Sequence, residues 1–431
     1  MTSPVAAFDP AAAPSSVTYG KAGLILLTLA LFATAHLVHY AMALLALGGV
    51  IECVCRPQLA RSGRGPTLLV LFLLIWVPML AAVPGAVARG HTINTVFAYL
   101  HYLPAAYFVM RACSEPEVRH LVTRGAALLV TFVAIDAFIQ LIWHRDLFGY
   151  PYEAGILKGV FYPKQRLGLL LAVLCALEIE VVREWCRRYP RLWLLLIPLV
   201  IVILMSLKRA AWLMLALSLL GYLALRLRRG LRLRRKWLLQ AALIVLLATG
   251  ATAMNPVMKA RLVETSGMFS TNAKALDVAT AYRWSLWQTG SAMVRAHWLL
   301  GIGPRGFRHA YRDFAPPDDF WMRLNGRGQT HPHLFLLEVL IETGGVGLIG
   351  LVLFYGLLVR LLLRPSVGRM VPVWLLSAAV ASFPLNAHMA FYSAYWSTLV
   401  WLLIGAGLAE VQAGDDASEP SPTPLSGPGV G

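Results

Sequence analysis

Charge is scarce in this sequence. Asp, Glu, Lys and Arg make up 14% of its 431 residues, while 58% are hydrophobic; soluble domains carry about a quarter charged residues. A soluble globular domain is excluded, because apolar runs of roughly 18 or more residues recur from end to end. Acidic residues are scarcer than basic ones: 21 Asp and Glu stand against 38 Lys and Arg, a net charge of +17. Nucleic acid explains that excess poorly, since the basic residues sit in short loops between apolar runs; anchoring to membrane lipids explains most of it. Cysteine is also sparse. Cys53, Cys55, Cys113, Cys175 and Cys186 lack the spacing of a disulfide framework or a metal site and fit reduced thiols. Met1 to Tyr19 is polar and rich in Ala, Ser and Pro. It predicts no cleavable signal peptide, so the first apolar run, from Ala22, stays as an anchor. No internal repeat is visible.

What is present predicts one polytopic membrane domain over 20–412, between a cytoplasmic N-terminal tail, 1–19, and a disordered cytoplasmic tail, 413–431, rich in Pro, Ser, Gly and Asp. Backbone polar groups in hydrocarbon must be satisfied within helices, so the fold class is all-α. About twelve spans are expected, near 22–35, 37–52, 66–85, 93–110, 121–143, 167–182, 192–207, 210–225, 237–254, 345–363, 371–388 and 393–411. The run 22–52 reads as one long tilted helix or as a hairpin; His36 and His39 near its middle favour the hairpin. One set of loops carries twenty Lys and Arg, the opposite short loops seven. The richer side is assigned to the cytoplasm, which puts the 255–333 loop on the opposite, non-cytoplasmic face.

Two stretches put cations or imidazoles where a span meets that outer water. The first is Ser206-Leu207-Lys208-Arg209-Ala210-Ala211-Trp212. A single helix over 192–225 would be roughly 51 Å long, beyond the roughly 30 Å hydrocarbon core, so the chain is expected to turn near Ser206–Arg209. Lys208 and Arg209 read either as a snorkelling pair at a helix end or as an anion clamp, for which the Arg fork is the better group. The second stretch is Thr330-His331-Pro332-His333-Leu334, running on through Glu338 to Glu342-Thr343-Gly344-Gly345-Val346-Gly347. Either His can serve as a general base near neutral pH or be a structural interfacial residue. Two alternate His can also hold a metal, but no third ligand has motif spacing. Glu338 and Glu342, i and i+4 inside apolar sequence, are expensive at that depth unless paired with an Arg or lining a cavity. On a straight helix Glu342 points away from His333.

The 255–333 loop has ten Lys and Arg against five Asp and Glu, a balance that suits an acidic ligand. A helix is expected from about Leu276 to Leu300, with Arg283 and Trp287 neighbours at i, i+4. It reads as an amphipathic helix on the outer leaflet, with Arg283 in solvent or turned to a ligand. The turn Gly301-Ile302-Gly303-Pro304-Arg305-Gly306 follows; alone it is a weak phosphate signal. Asp318-Asp319 reads as a solvated turn in preference to a cation site.

Taken together, these motifs resemble the O-antigen ligase and polymerase superfamily. His333 followed by an apolar helix and Glu342-Thr343-Gly344 with Gly347 resembles its His and Glu-x-Gly-x-x-Gly signature. Ser206-Leu207-Lys208-Arg209-Ala210-Ala211 resembles its Ser-x-x-Arg-small-small element, and Tyr282-Arg283-Trp284-Ser285-Leu286-Trp287 its Arg-x-x-x-Trp element. Leu334 departs from the Asn or Ser common after the family His. Spacing to Glu342 and Gly344 favours His333 over His331 for the catalytic slot.

The resemblance implies a GT-C-like inner-membrane glycosyltransferase with a periplasmic active site, inverting and free of metal or other cofactor. Its donor would be O-antigen on undecaprenyl diphosphate and its acceptor lipid A–core oligosaccharide. His333, Arg209 and Arg283 are the expected catalytic residues. Lys208, Trp287, Arg305, His331, Glu338 and Glu342 are expected to bind the diphosphate, lipid or glycan. Rival readings are an O-antigen polymerase, a protein oligosaccharyltransferase on the same carrier, or, outside enzymes, a transporter of the lipid-linked glycan. Gathering of charge at the outer surface, with no paired half-sequences, weighs against transport.

Overall fold

A chain dissolved in hydrocarbon has no water for its peptide groups, and helix answers that need locally. The computed structural model describes residues 15–34, 36–60, 63–153, 155–230, 234–266, 273–364 and 371–416. Among them there is no strand, only the isolated bridge pairs Arg145–Pro151 and Glu153–Ile156. Among the described residues, seven helices are long and apolar enough to cross a membrane: the segment Ser16–Ala33, then Leu37–Cys55, Pro116–Trp143, Arg209–Arg228, Arg235–Met254, Phe335–Leu362 and Ala394–Asp416. The protein is an all-helical, multi-pass membrane protein.

Fewer than twelve helices meet that measure because several expected spans are short or broken. The run 22–52 divides at the 3-10 turn Leu31–Ala33. The expected 93–110 span is two helices, Arg89–Tyr99 and Tyr102–Ser114. The chain also turns at Ser206–Lys208, between Leu196–Met205 and Arg209–Arg228. The expected tails lie largely outside the described residues, but helix continues through 413–416, where a disordered tail was expected.

The Ala394–Asp416 helix sits at the centre. It is apolar on every side, and such a helix is buried all round: Trp396, Leu399, Trp401, Leu403 and Ile404 are each at most 1% exposed. It packs on Tyr102–Ser114 and Val373–Ala381. Arg235–Met254 is the opposite case, turning Leu238, Leu239, Val245 and Leu246 outward, where lipid is the natural neighbour.

Two irregular segments shape the functional end. The Phe335–Leu362 helix breaks at Gly344, at φ 64° and ψ −158°. The break is stitched to the segment 298–303 by four backbone hydrogen bonds. Ile302 and Gly303 N–H donate to Ile341 and Glu342 carbonyls at 2.9 and 3.0 Å, and Gly345 and Val346 N–H donate to Trp298 and Leu299 carbonyls at 2.8 and 3.2 Å. A Cβ on Gly344 would lie 2.3 Å from the Leu299 oxygen, and one on Gly301 2.5 Å from the Glu342 carbonyl carbon. Both glycines have left-handed φ, so only glycine lets these backbones meet without strain.

The second irregular segment is 382–393. The expected span 371–388 ends as helix at Ala381. Non-helical backbone at membrane depth survives where protein satisfies it. Asn386 and Pro384 carbonyls accept the first-turn N–H groups of Phe335 and Leu336, at 3.0 and 2.9 Å. The Glu338 carboxylate accepts the N–H of Phe391 at 3.0 Å and of Tyr392 at 3.3 Å.

Candidate active site

Three helix beginnings meet at this end. Arg209 is the first residue of Arg209–Arg228, Arg283 the first of Arg283–Ala296, and His333 stands two residues before Phe335–Leu362. The expected single helix over 276–300 is broken at 280–282, and the break is what puts Arg283 at a helix start. Each beginning follows or contains a non-glycine residue with left-handed backbone: Leu207 at φ 54°, Ala281 and Tyr282 at 57° and 58°, and His333 at 52°. Arg305, at 63°, is a fourth such place. Such conformations are uncommon outside glycine and persist where surrounding structure enforces them, often at functional sites. Tyr282 shows the enforcement: its ring stacks on Phe320 at 3.8 Å between centroids, and its carbonyl accepts the Trp321 indole N–H at 2.8 Å.

The cations and imidazoles expected from sequence come together here. The Arg283 charge acts on His331, His333 and His388, and the Lys208 charge on His388. Burial, and after it the neighbouring Arg209, pulls the Arg283 guanidinium down to about 10. Arg283 has no carboxylate in ion-pair reach among the described residues. Arg209 has Glu264 at 3.7 Å and donates to the Ala279 carbonyl. Two guanidinium groups at the positive ends of helices are mutually unfavourable unless an anion lies between them.

The imidazoles are ordered by one carbonyl. His388 oxygen lies 3.1 Å from His331 Nε2 and 3.1 Å from His333 Nδ1. A carbonyl only accepts, so both nitrogens carry protons. His331 Nδ1 lies 3.0 Å from the Thr330 hydroxyl, so both its nitrogens are engaged. Neutral His333 therefore keeps its lone pair on Nε2, the atom a general base needs. Burial is the main cause that pulls His331 down to about 4 and His333 well below the usual imidazole range; neighbouring cations and imidazoles add to it. Both are neutral near pH 7.

Other expected residues sit around this group in supporting positions. Trp287 donates its indole N–H to the Pro332 carbonyl at 3.1 Å, fixing the peptide between the two histidines. Glu338 and Glu342 are both fully buried. They lie behind the site, with Glu338 holding the 391–392 turn and Glu342 accepting the N–H of Arg305 at 2.6 Å and of Phe307 at 3.4 Å. The hydrogen bonds of both carboxylates go to these backbone N–H groups. Asp319, read from sequence as part of a solvated turn, is 2% exposed. It caps the Phe320–Asn325 helix through Met322 N–H and accepts the Tyr311 hydroxyl at 2.9 Å; those internal bonds are why it leaves solvent. His388 was not foreseen. It lay inside an expected span, and only Pro384 hinted that the helix stops before it.

Residues 194–354 match the family model described as O-Antigen ligase. This stretch is similar to the O-antigen ligase family. It contains Lys208, Arg209, Arg283, Arg305, His331 and His333, and with them the Gly344 break. The family is one of glycosyl-transferring membrane enzymes of the ligase and polymerase type. No curated protein matches the sequence.

Proposed function

We propose that the protein is an O-antigen ligase of the bacterial inner membrane, moving O-antigen from undecaprenyl diphosphate to lipid A–core oligosaccharide at the periplasmic face. The observation that carries the proposal is Arg283: a desolvated guanidinium with no carboxylate in ion-pair reach among the described residues, beside Arg209 and within electrostatic reach of His333. That combination suits a substrate bearing a diphosphate next to a bond that must break.

The chemistry follows from the groups present. Arg209 and Arg283 grip the diphosphate, and Lys208 adds positive charge at its edge. Planar forks match phosphate oxygens. An acceptor sugar hydroxyl gives its proton to His333 Nε2 as its oxygen attacks the anomeric carbon. The bond from that carbon to the diphosphate breaks, and undecaprenyl diphosphate leaves with the electron pair. Attack opposite the leaving group inverts the anomeric centre. The guanidinium groups stabilise the charge that grows on the departing oxygen, so the step as written uses no metal. His331, Trp287 and the His388 carbonyl hold His333 in its tautomer and direction.

The test is purified protein in vesicles with lipid-linked glycan and rough lipopolysaccharide. A ladder on lipid A–core supports the ligase. Lengthening of glycan on the carrier without that acceptor supports a polymerase instead. Movement of the lipid across the bilayer with no new bond overturns enzymatic transfer altogether.

A further inference from the structure

We infer that a cavity in the wall of the helix bundle holds an acyl chain of the acceptor lipid, whose phosphorylated head rests on cations at the cavity mouth. The inference rests on the ligase reading, since it concerns that reaction's acceptor. The cavity has a volume of about 490 Å³, within the roughly 300–1,000 Å³ range of ligand pockets. It lies between the segment Ser16–Ala33, the helix Pro116–Trp143 and the helix Leu167–Trp185, under the loop that joins the last two. Leu29, Ala33, Leu129, Val133, Phe161 and Leu174 are in its lining. From Ala126 to Val133 the lining follows one helix for about 10 Å, the shape of a slot for a chain along the membrane normal. Phe132 and Phe148 also line it and are exposed, so the slot opens sideways to the surrounding hydrocarbon. Tyr150 and Tyr162 stand at its loop end, their rings stacked at 5.4 Å, where a membrane interface favours aromatic side chains.

Contacts place this cavity on a different face of the Leu167–Trp185 helix from Arg209. A Cβ on Gly168 would lie 2.0 Å from the Ser206 hydroxyl and 3.2 Å from the Ala211 Cβ. The Ser218 hydroxyl donates to the Ala172 carbonyl at 2.7 Å. The Gly168 and Ala172 face therefore meets the turn and the helix that carry Arg209. Leu170 and Leu174, which line the cavity, are roughly 160° and 120° round the helix from Gly168. A helix about 10 Å thick separates the two places, and a lipid with its phosphates at Arg209 would have to wrap round it to put its chain here. The mouth has its own cations. The Arg166 guanidinium lies 3.8 Å from the Tyr395 ring centre, and the Tyr395 hydroxyl donates to the Phe32 carbonyl at 2.9 Å, next to Ala33 of the lining. Lys164, between Tyr162 and Arg166, is exposed. Neither cation has a carboxylate in ion-pair reach among the described residues. An apolar slot below and cations above suit an anionic lipid. The reaction uses two such lipids, and with the diphosphate carrier at Arg209 the second is the acceptor. Tyr395 directly follows the loop whose His388 carbonyl orders His333, so the mouth lies beside the segment that holds the base.

The experiment uses the full-length protein in phospholipid vesicles, glycan on an undecaprenyl or a short farnesyl carrier as donor, and rough lipopolysaccharide with its ester-linked acyl chains intact or removed. Wild type is expected to show an acceptor KM raised about tenfold or more on the deacylated form, the worth of a few buried methylenes. Ala33→Phe and Val133→Phe, which fill the slot, should show a similar rise on the intact acceptor and match wild type on the deacylated one. Equal losses on both acceptors would mark a structural role and overturn this proposal alone. So would a KM raised for the undecaprenyl donor and not the farnesyl one, which would give the slot to the carrier. Photoreactive benzoylphenylalanine replacing Phe132 gives a second readout that needs no filled slot. It should form adducts with lipopolysaccharide; adducts with phospholipid or carrier alone overturn the proposal. Failure of wild type to make any acceptor-linked product overturns the ligase reading, and this proposal with it.

Discussion

His333 Nδ1 lies 3.1 Å from the carbonyl oxygen of His388. That contact decides which ring nitrogen can take a proton, and it separates the two neighbouring histidines. His333→Ala should lower transfer by about 10²–10⁴-fold, the usual worth of a general base. His331→Ala removes a neighbouring hydrogen-bonded ring and should cost roughly tenfold or less. Initial rates on protein matched for membrane insertion provide the check; a His331 effect larger than the His333 effect reverses the assignment.

The pH profile follows from the same imidazole. Burial lowers His333 in the free protein, so it stays neutral and competent as pH falls from 8 to 5, and log kcat/KM should show no His333 limb there. A bound diphosphate brings negative charge close and raises the imidazole pKa. The acid limb of log kcat should therefore lie at higher pH than that of log kcat/KM. Coincident limbs would mean that the anion does not bind beside His333.

Arginine geometry should matter beyond charge. Arg209→Lys and Arg283→Lys replace a two-pronged fork with a point charge and should each remain poor enzymes. The alanine variants should lose on the order of 10²–10³-fold or more in kcat. Near-normal rates for either lysine variant would reduce that residue to a source of positive field. Preincubation with EDTA should leave wild-type transfer unchanged; a loss restored by a divalent cation would add a metal to the scheme.

The glycine break is a stability element. Gly344→Ala or Gly301→Ala forces a Cβ into backbone and strains a left-handed position, at a cost of about 1–3 kcal/mol or more. Glu342→Ala leaves the Arg305 and Phe307 N–H groups buried without their acceptor, at roughly 1–3 kcal/mol each. Each variant should lower the thermal midpoint in detergent, and Glu342→Gln, which keeps one acceptor oxygen, should lower it less than Glu342→Ala. Equal midpoints for the two Glu342 variants would remove the bracing role.

Much of this site is legible in the sequence because its groups break the rules of their surroundings. Lys208-Arg209 interrupts apolar sequence, Arg283 precedes Trp287 by one helical turn, and His333 stands before an apolar run. The roles of Glu338 and Glu342 are not legible. Buried carboxylates in apolar sequence suggest cations as partners, and the charge of Arg308 does lie within their reach, but their hydrogen bonds come from backbone N–H groups of turns 35 to 54 residues away in sequence. His388 was hidden for a related reason. Hydropathy cannot tell an apolar helix from an apolar loop whose backbone is satisfied by neighbours, and 382–393 is such a loop.

The central claim is that a lipid diphosphate lies between Arg209 and Arg283 with its sugar turned to His333. Electron cryomicroscopy of the protein with undecaprenyl diphosphate bound tests it most directly. The account predicts both phosphates within hydrogen-bond distance of the two guanidinium groups, with His333 Nε2 facing the position of the anomeric carbon. Phosphate density away from both arginines, or on the far side of His331, would contradict it.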